Sequence, residues 1–261
     1  FLEFRNLLNP ASGFQSAQFR IIENTMGLNR NNRIKFNKKD YDNFLSPNDQ
    51  ANAKSSEKEK SLLELAEIWL ERTPFIVRND FNFWEEYKNS IHNMIKEDIN
   101  QIKETPGQSS DMINENIREY EKIKDSYDAL FNKEKYIQLL KSGKRTISQE
   151  ACLSALFIIL YRHEPILHQP YQLITKFIDF DQLMQSWRNR HALLAHRMIG
   201  RKIGTGGSSG YKYLKKTSDQ HSIFTDFANL SSYIIPRSCL PKLPTSLKKN
   251  LGFYFTYEDK E

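Results

Sequence analysis

The chain holds only two cysteines, Cys152 and Cys239, too few for a disulfide framework and without metal-site spacing. That usage fits a reducing compartment and makes the cytosol the expected location, unless residues outside this chain carry an address. Long hydrophobic runs are also missing. The longest nearly continuous one, Ala151 to Tyr161, falls short of the roughly 18–20 residues that span a bilayer, so no membrane segment is expected and no signal peptide is visible. There is no internal repeat, and no alternation of apolar and polar residues long enough for a major sheet. Acidic residues number 32 against 38 Lys and Arg, a net charge of +6. Both signs are interspersed and no nucleic-acid motif is present. Basic-aromatic clusters such as Lys141 to Arg145 and Lys212 to Lys216 therefore read as solvated faces, and nucleic acid is not an expected partner.

What is present is helical periodicity. Leu62, Leu65, Ala66, Trp69 and Leu70 form one amphipathic segment, closed by Thr73-Pro74 because proline disfavours helix in the residue before it. Trp84, Tyr87, Ile91, Met94, Ile95, Ile99 and Ile102 mark a second segment, which breaks at Thr105-Pro106-Gly107, and Ile113 to Phe131 a third that pairs antiparallel with it. The polar stretch Glu104 to Asp111 between them is expected to be a mobile connection. Ser148 can cap the helix of Cys152, Leu156 and Leu160, which Glu164-Pro165 ends; Gln169-Pro170 is then expected to start a long helix to Gly200. A further apolar helix is expected around Phe224 to Ile235, before Pro236, Pro241 and Pro244. The predicted fold class is all-α, a helical bundle forming a single domain over residues 1–261.

Two features carry chemistry. On the long helix, Leu173, Phe177, Phe180, Met184, Trp187, His191, Leu194 and Met198 recur in steps of four and three, one sustained stripe that includes His191 and leaves His196 off it. A histidine there is either buried and satisfied by a hydrogen bond or a metal ligand. The run Gly204-Thr205-Gly206-Gly207-Ser208-Ser209-Gly210 follows, and it is either a flexible linker or a loop whose permissive backbone closes on a ligand. No Lys-Ser/Thr pair follows its last glycine and no apolar strand precedes it, so the phosphate-loop and dinucleotide templates fail. At the other end of the chain, Phe1, Arg5, Leu8 and Ser12 share one helix face, which places Arg5 among apolar neighbours. Such an arginine either snorkels to water, forms a structural ion pair or meets an anionic ligand.

Together, Trp187-Arg188-Asn189-Arg190-His191 and the Gly204–Gly210 loop resemble the signature of the tryptophan 2,3-dioxygenases, the haem enzymes that open the indole ring. The resemblance extends to Phe1 through Arg5, Ser12 through Ser16 with Phe19-Arg20, Trp69 through Pro74, Phe81 through Trp84, and Tyr161-Arg162 with Glu164-Pro165, in family order. Residues about 29–60 and 100–145 diverge. One departure matters: the family's N-terminal segment, with its His-Asp-Glu-His motif and distal-side histidine, has no counterpart here. The chain is therefore expected to be an N-terminally truncated catalytic domain that needs that segment to complete its sites.

The resemblance implies haem b as cofactor, L-tryptophan and O2 as substrates, N-formyl-L-kynurenine as product, and a homotetramer arranged as a dimer of dimers. It implies His191 as the axial iron ligand with Trp187, one turn earlier on the same face, helping to seat the macrocycle. It assigns Arg5 to the substrate carboxylate, Phe1 to the indole, Leu8, Ser12 and Gly13 to the pocket, and Thr205 to the amino-acid end of the substrate. Trp69, Arg72 and Pro74 resemble a second, noncatalytic tryptophan site. No side chain of this chain is assigned as acid or base. The alternative is a nonenzymatic haem- or tryptophan-binding sensor that keeps His191, Arg5 and Thr205 without turnover.

Overall fold

The computed structural model describes the backbone of residues 17–28, 46–72, 77–78, 81–107, 109–199 and 222–256. Its described elements are overwhelmingly helical: α1 Ala17–Met26, α2 Pro47–Ser56, α3 Leu62–Glu71, α4 Phe83–Glu104, α5 Ser110–Phe131, α6 Lys133–Lys141, α7 Gln149–Leu160, α8 Pro165–Ile199, α9 Thr225–Asn229 and α10 Thr245–Leu251. Among the described residues the only strands are β1 Val77–Arg78 and β2 Phe81–Asn82, an antiparallel pair. None of the described helices is long and apolar enough to cross a membrane. The fold is all-α. The chain divides into two compact units, one drawn from Phe1–Ile68 and Thr175–Thr225, the other from Trp69–Ile174 and Asp226–Glu261.

In the second unit, α4 and α5 lie antiparallel. Trp84 packs against Phe131 at 5.9 Å, and His92 and Lys88 reach Asp128 at 3.3 and 3.5 Å. Positions rising along one helix thus meet positions falling along the other. Each start is set by a cap. Asn82 accepts from the Trp84 and Glu85 amides at 3.2 and 3.3 Å, and Ser109 from Met112 at 3.3 Å, which satisfies donors that would otherwise be orphaned. The connection is shorter than the sequence suggested, because Glu104 closes α4 while Ser110 and Asp111 already belong to α5.

Helix α7 is the centre of this unit. Ser148 caps it, accepting from the Ala151 amide at 3.2 Å, and every residue from Ala151 to Leu160 is buried. The apolar run that was too short for a membrane is a core helix buried on all sides, each large side chain contributing about 1.5–3 kcal/mol. Phe157 meets Phe83 edge-on at 5.1 Å and lies 6.1 Å from Phe253.

Ahead of α7 the chain turns on one carboxylate. Asp226 accepts from the Thr146 amide at 2.6 Å, the Thr146 hydroxyl at 2.7 Å and the Ile147 amide at 3.1 Å, and pairs with Arg145 at 3.3 Å. Arg145 also donates to the Tyr233 hydroxyl at 2.8 Å. Replacing Asp226 by alanine strands a buried cation and three donors, so a loss of about 3–5 kcal/mol of stability is expected. Urea denaturation measures it, and a loss below about 1 kcal/mol would mean that the turn simply rehydrates.

Two helix boundaries differ from expectation. Helix α8 begins at Pro165, not Pro170. Pro165 sits where its missing N–H costs nothing, whereas Pro170, inside the helix, removes only the one bond to the Ile166 carbonyl. The apolar segment after Phe224 is not one helix: α9 ends at Asn229 and Leu230–Tyr233 winds as a tighter 3-10 turn. Phe224, Phe227, Leu230 and Tyr233 are all buried at a spacing of three, the period of a 3-10 helix rather than of an α-helix.

Candidate active site

The first unit carries the long helix's C-terminal part and the helix that follows the Arg5 segment. Helix α1 ends at Gly27, whose φ of 104° places it in the left-handed region and whose amide returns to the Glu23 carbonyl at 3.1 Å. A Cβ there would also stand 2.8 Å from the Ser61 hydroxyl, so only glycine fits. Asn24 ties α1 to α2, donating to the Ser56 hydroxyl at 3.1 Å.

Helix α8 presents to this unit a face that shares only Phe177 with the stripe that sequence periodicity selected. Within residues 173–190 the buried positions are Ile174, Phe177, Asp181 and Arg188, which fall on one side of the helix. The predicted stripe lies roughly 90° around from it, at 3.6 residues per turn. Of its described members only Phe177 is buried: Leu173 and Leu194 are exposed, Trp187 is 40% exposed, and Phe180 and Met184 are half-buried. Apolar residues occur on both faces, and what decides burial is charge pairing. Arg188 is 0% exposed and donates to Glu23 at 3.3 Å. Burial holds its guanidinium below its usual pKa, against the pull of Glu23 and Asp181. Asp181 accepts from the Ser222 hydroxyl at 2.7 Å, the Ile223 amide at 3.0 Å and the Phe224 amide at 2.6 Å. Phe177 stacks on Phe224 at 4.8 Å.

The backbone of His191 lies on α8, one turn past Trp187. Its side chain is outside the described residues, as are Phe1, Arg5, Leu8, Ser12, Gly13, Thr205 and Pro74. Trp69 is half-buried on α3, beside the fully covered Leu70, and Arg72 is exposed one turn on, its amide 3.2 Å from the Trp69 carbonyl. An open cleft of about 520 Å³ in the second unit, lined by Trp84, Lys88, Asp128, Phe131, Lys135 and Gln149 among others, contains none of the predicted site residues. Sequence reasoning missed Glu23, Asp181 and Glu164. Glu164 is fully buried and accepts from the Phe255 and Thr256 amides at 3.2 and 3.1 Å. The only signal for such groups was a carboxylate on an otherwise apolar face.

A family model described as tryptophan 2,3-dioxygenase matches residues 1–234. The chain belongs to the tryptophan 2,3-dioxygenase family. The tryptophan 2,3-dioxygenase of Alteromonas mediterranea is 43% identical over 254 residues, 97% of this chain and 70% of its own length. That of Dictyostelium discoideum is 42% identical over 97% of this chain and 64% of its own, and that of Rattus norvegicus 42% over 99% and 63%. The chain therefore spans about two thirds of the length of these dioxygenases. Family membership identifies it with tryptophan-cleaving oxidoreductases.

Haem is compatible with the described residues nearest position 191: Trp187 and Leu194, on either side of it along α8, are 40% and 42% exposed and would offer apolar surface to a macrocycle.

Proposed function

We propose that this chain carries the proximal haem and substrate groups of an enzyme that incorporates both atoms of O2 into L-tryptophan, giving N-formyl-L-kynurenine. The family match across residues 1–234, which includes the Trp187–His191 run and the Gly204–Gly210 loop, is the observation that carries it. Haem iron supplies the chemistry that lets triplet dioxygen react with a closed-shell indole. In this reading the His191 imidazole would hold the iron through a ring nitrogen, and Trp187, one turn away on α8, would help seat the macrocycle.

The other residues bind and orient. Arg5 offers two parallel N–H donors to the substrate carboxylate, a better match than a point charge. Phe1 contacts the indole, Leu8, Ser12 and Gly13 line the pocket, and the Thr205 hydroxyl meets the amino-acid end. The glycines beside Thr205 give this run a backbone permissive of close approach to a ligand. Distal-side groups come from outside residues 1–261, across a subunit boundary in a cytosolic homotetramer of composite sites. Trp69, Arg72 and Pro74 form a second tryptophan site without chemistry.

The test is anaerobic addition of tryptophan to the ferrous holoprotein, then oxygen. A spectral change on tryptophan and formylkynurenine on oxygen are the expected results, from residues 1–261 together with the family's N-terminal segment. A change on tryptophan with no product would identify a sensor, and full activity of residues 1–261 alone would remove the need for distal groups from elsewhere.

A further inference from the structure

The open cleft of about 520 Å³ in the second unit has the size of a small-molecule site. It is lined by the first turns of α4, α6 and α7 and the last turn of α5. Trp84 and Phe131, with ring centroids 5.9 Å apart, and the buried Leu153 give it apolar surface. Its polar groups are unequal in donors and acceptors. Asn82 commits its side-chain oxygen to the Trp84 and Glu85 amides, and Asn132 commits its own to the Lys135 amide at 2.9 Å, so each carboxamide is left with its NH2 group uncommitted. Lys88 and His92 offset Asp128 at 3.5 and 3.3 Å. The Lys135 ammonium is exposed and meets no acceptor among the described residues. Neither does the Trp84 indole N–H, although that nitrogen is shielded from water, and shielded donors are nearly always paired. Against these donors the lining side chains offer the Glu85 carboxylate and the Gln149 oxygen, whose own NH2 donates to the Leu130 carbonyl at 2.7 Å.

We propose that this cleft binds an organic carboxylate with a ring-sized apolar body, its oxygens meeting the Lys135 ammonium and the Trp84 indole N–H and its body lying against Trp84, Phe131 and Leu153. The excess of donors selects an acceptor-bearing group over an amine. The rings select an apolar body over a bare anion, whose binding would leave their surface wet. The indole nitrogen is covered as the ring stands, so the half-buried ring turns toward the cleft as the carboxylate enters. Glu85 opposes the ligand. It sits in the first turn of α4, where the helix dipole favours a negative side chain, and it holds the affinity down. The site involves neither His191 nor the residues assigned to the substrate, so it stands or falls apart from the haem reading.

The experiment titrates the complete holoenzyme, its tryptophan indoles isotopically labelled, and follows by NMR the Trp84 N–H signal, recognised as the one that Trp84→Phe removes. Phenylacetate should shift that signal saturably. Phenethylamine, which carries an ammonium in place of the carboxylate, and inorganic phosphate, which has no apolar body, should leave it where it is. Lys135→Gln should weaken phenylacetate about tenfold, the scale of one lost charge-assisted contact, and Glu85→Gln should tighten it. Both residues are exposed, so neither substitution endangers the fold. A Trp84 signal that phenylacetate never moves would show that water alone meets the indole. Equal shifts with phosphate or with the amine would reduce the cleft to surface charge or to apolar contact, and weaker binding in Glu85→Gln would mean that the ligand carries a positive group. Each of these results overturns the assignment.

Discussion

Replacing His191 by alanine in the holoenzyme is expected to abolish the native haem spectrum and with it formylkynurenine production. The His191 nitrogen would be this chain's bond to the iron, so the loss should exceed the roughly 10–100-fold that removing an outer partner costs a metal site. Added imidazole should restore a ligated spectrum by filling the vacated space. His196 is the control. It stands five residues on, well around the helix from position 191, and His196→Ala should keep the parent ferric and ferrous spectra. If His191→Ala keeps them and His196→Ala loses them, the ligand assignment is wrong.

Arg5→Ala should lower kcat/KM for tryptophan by roughly 10- to 150-fold, the equivalent of the 1.5–3 kcal/mol that a charge-assisted hydrogen-bonded contact supplies. Tryptamine has no carboxylate to lose and should fall much less. Arg5→Lys should lie between, since it keeps the charge but not the planar pair of donors. Steady-state kinetics with both substrates decides the matter, and equal losses for the two would contradict the role.

Local chemistry was legible in the sequence where a cap, a break and an apolar stripe agreed. Helix α7 starts where Ser148 puts it, α4 ends at the Thr105-Pro106-Gly107 break, and α4 and α5 begin within three residues of their first apolar marks, Trp84 and Ile113. The long helix was legible as a helix but not in its orientation. Periodicity treats every apolar residue as buried, and α8 has apolar residues on more than one face. Its buried face includes Asp181 and Arg188 because their partners exist only after folding, 41–43 and 165 residues away. Pro170 misled for a related reason: a proline near a helix start removes a single bond, which the turns around it outweigh. The site residues were named by resemblance. Spacing alone left His191 a choice between a satisfied core histidine and a ligand, and left Arg5 a choice of three partners.

The burial of α7 on every side has a bearing on how the chain is made. Its apolar run emerges from the ribosome well before the residues that cover it: Phe157 waits for Phe253 and Glu164 for Phe255 and Thr256. At about 5–20 residues per second that interval is roughly 5–20 s. During it the stickiest stretch of the second unit has no native partner on its C-terminal side. Synthesis therefore passes through a stage in which this run is exposed on that side unless the chain collapses around it. A chain stopped near Asn229 lacks the Phe253 to Thr256 cover of this core, and aggregation of such a fragment is the expected result.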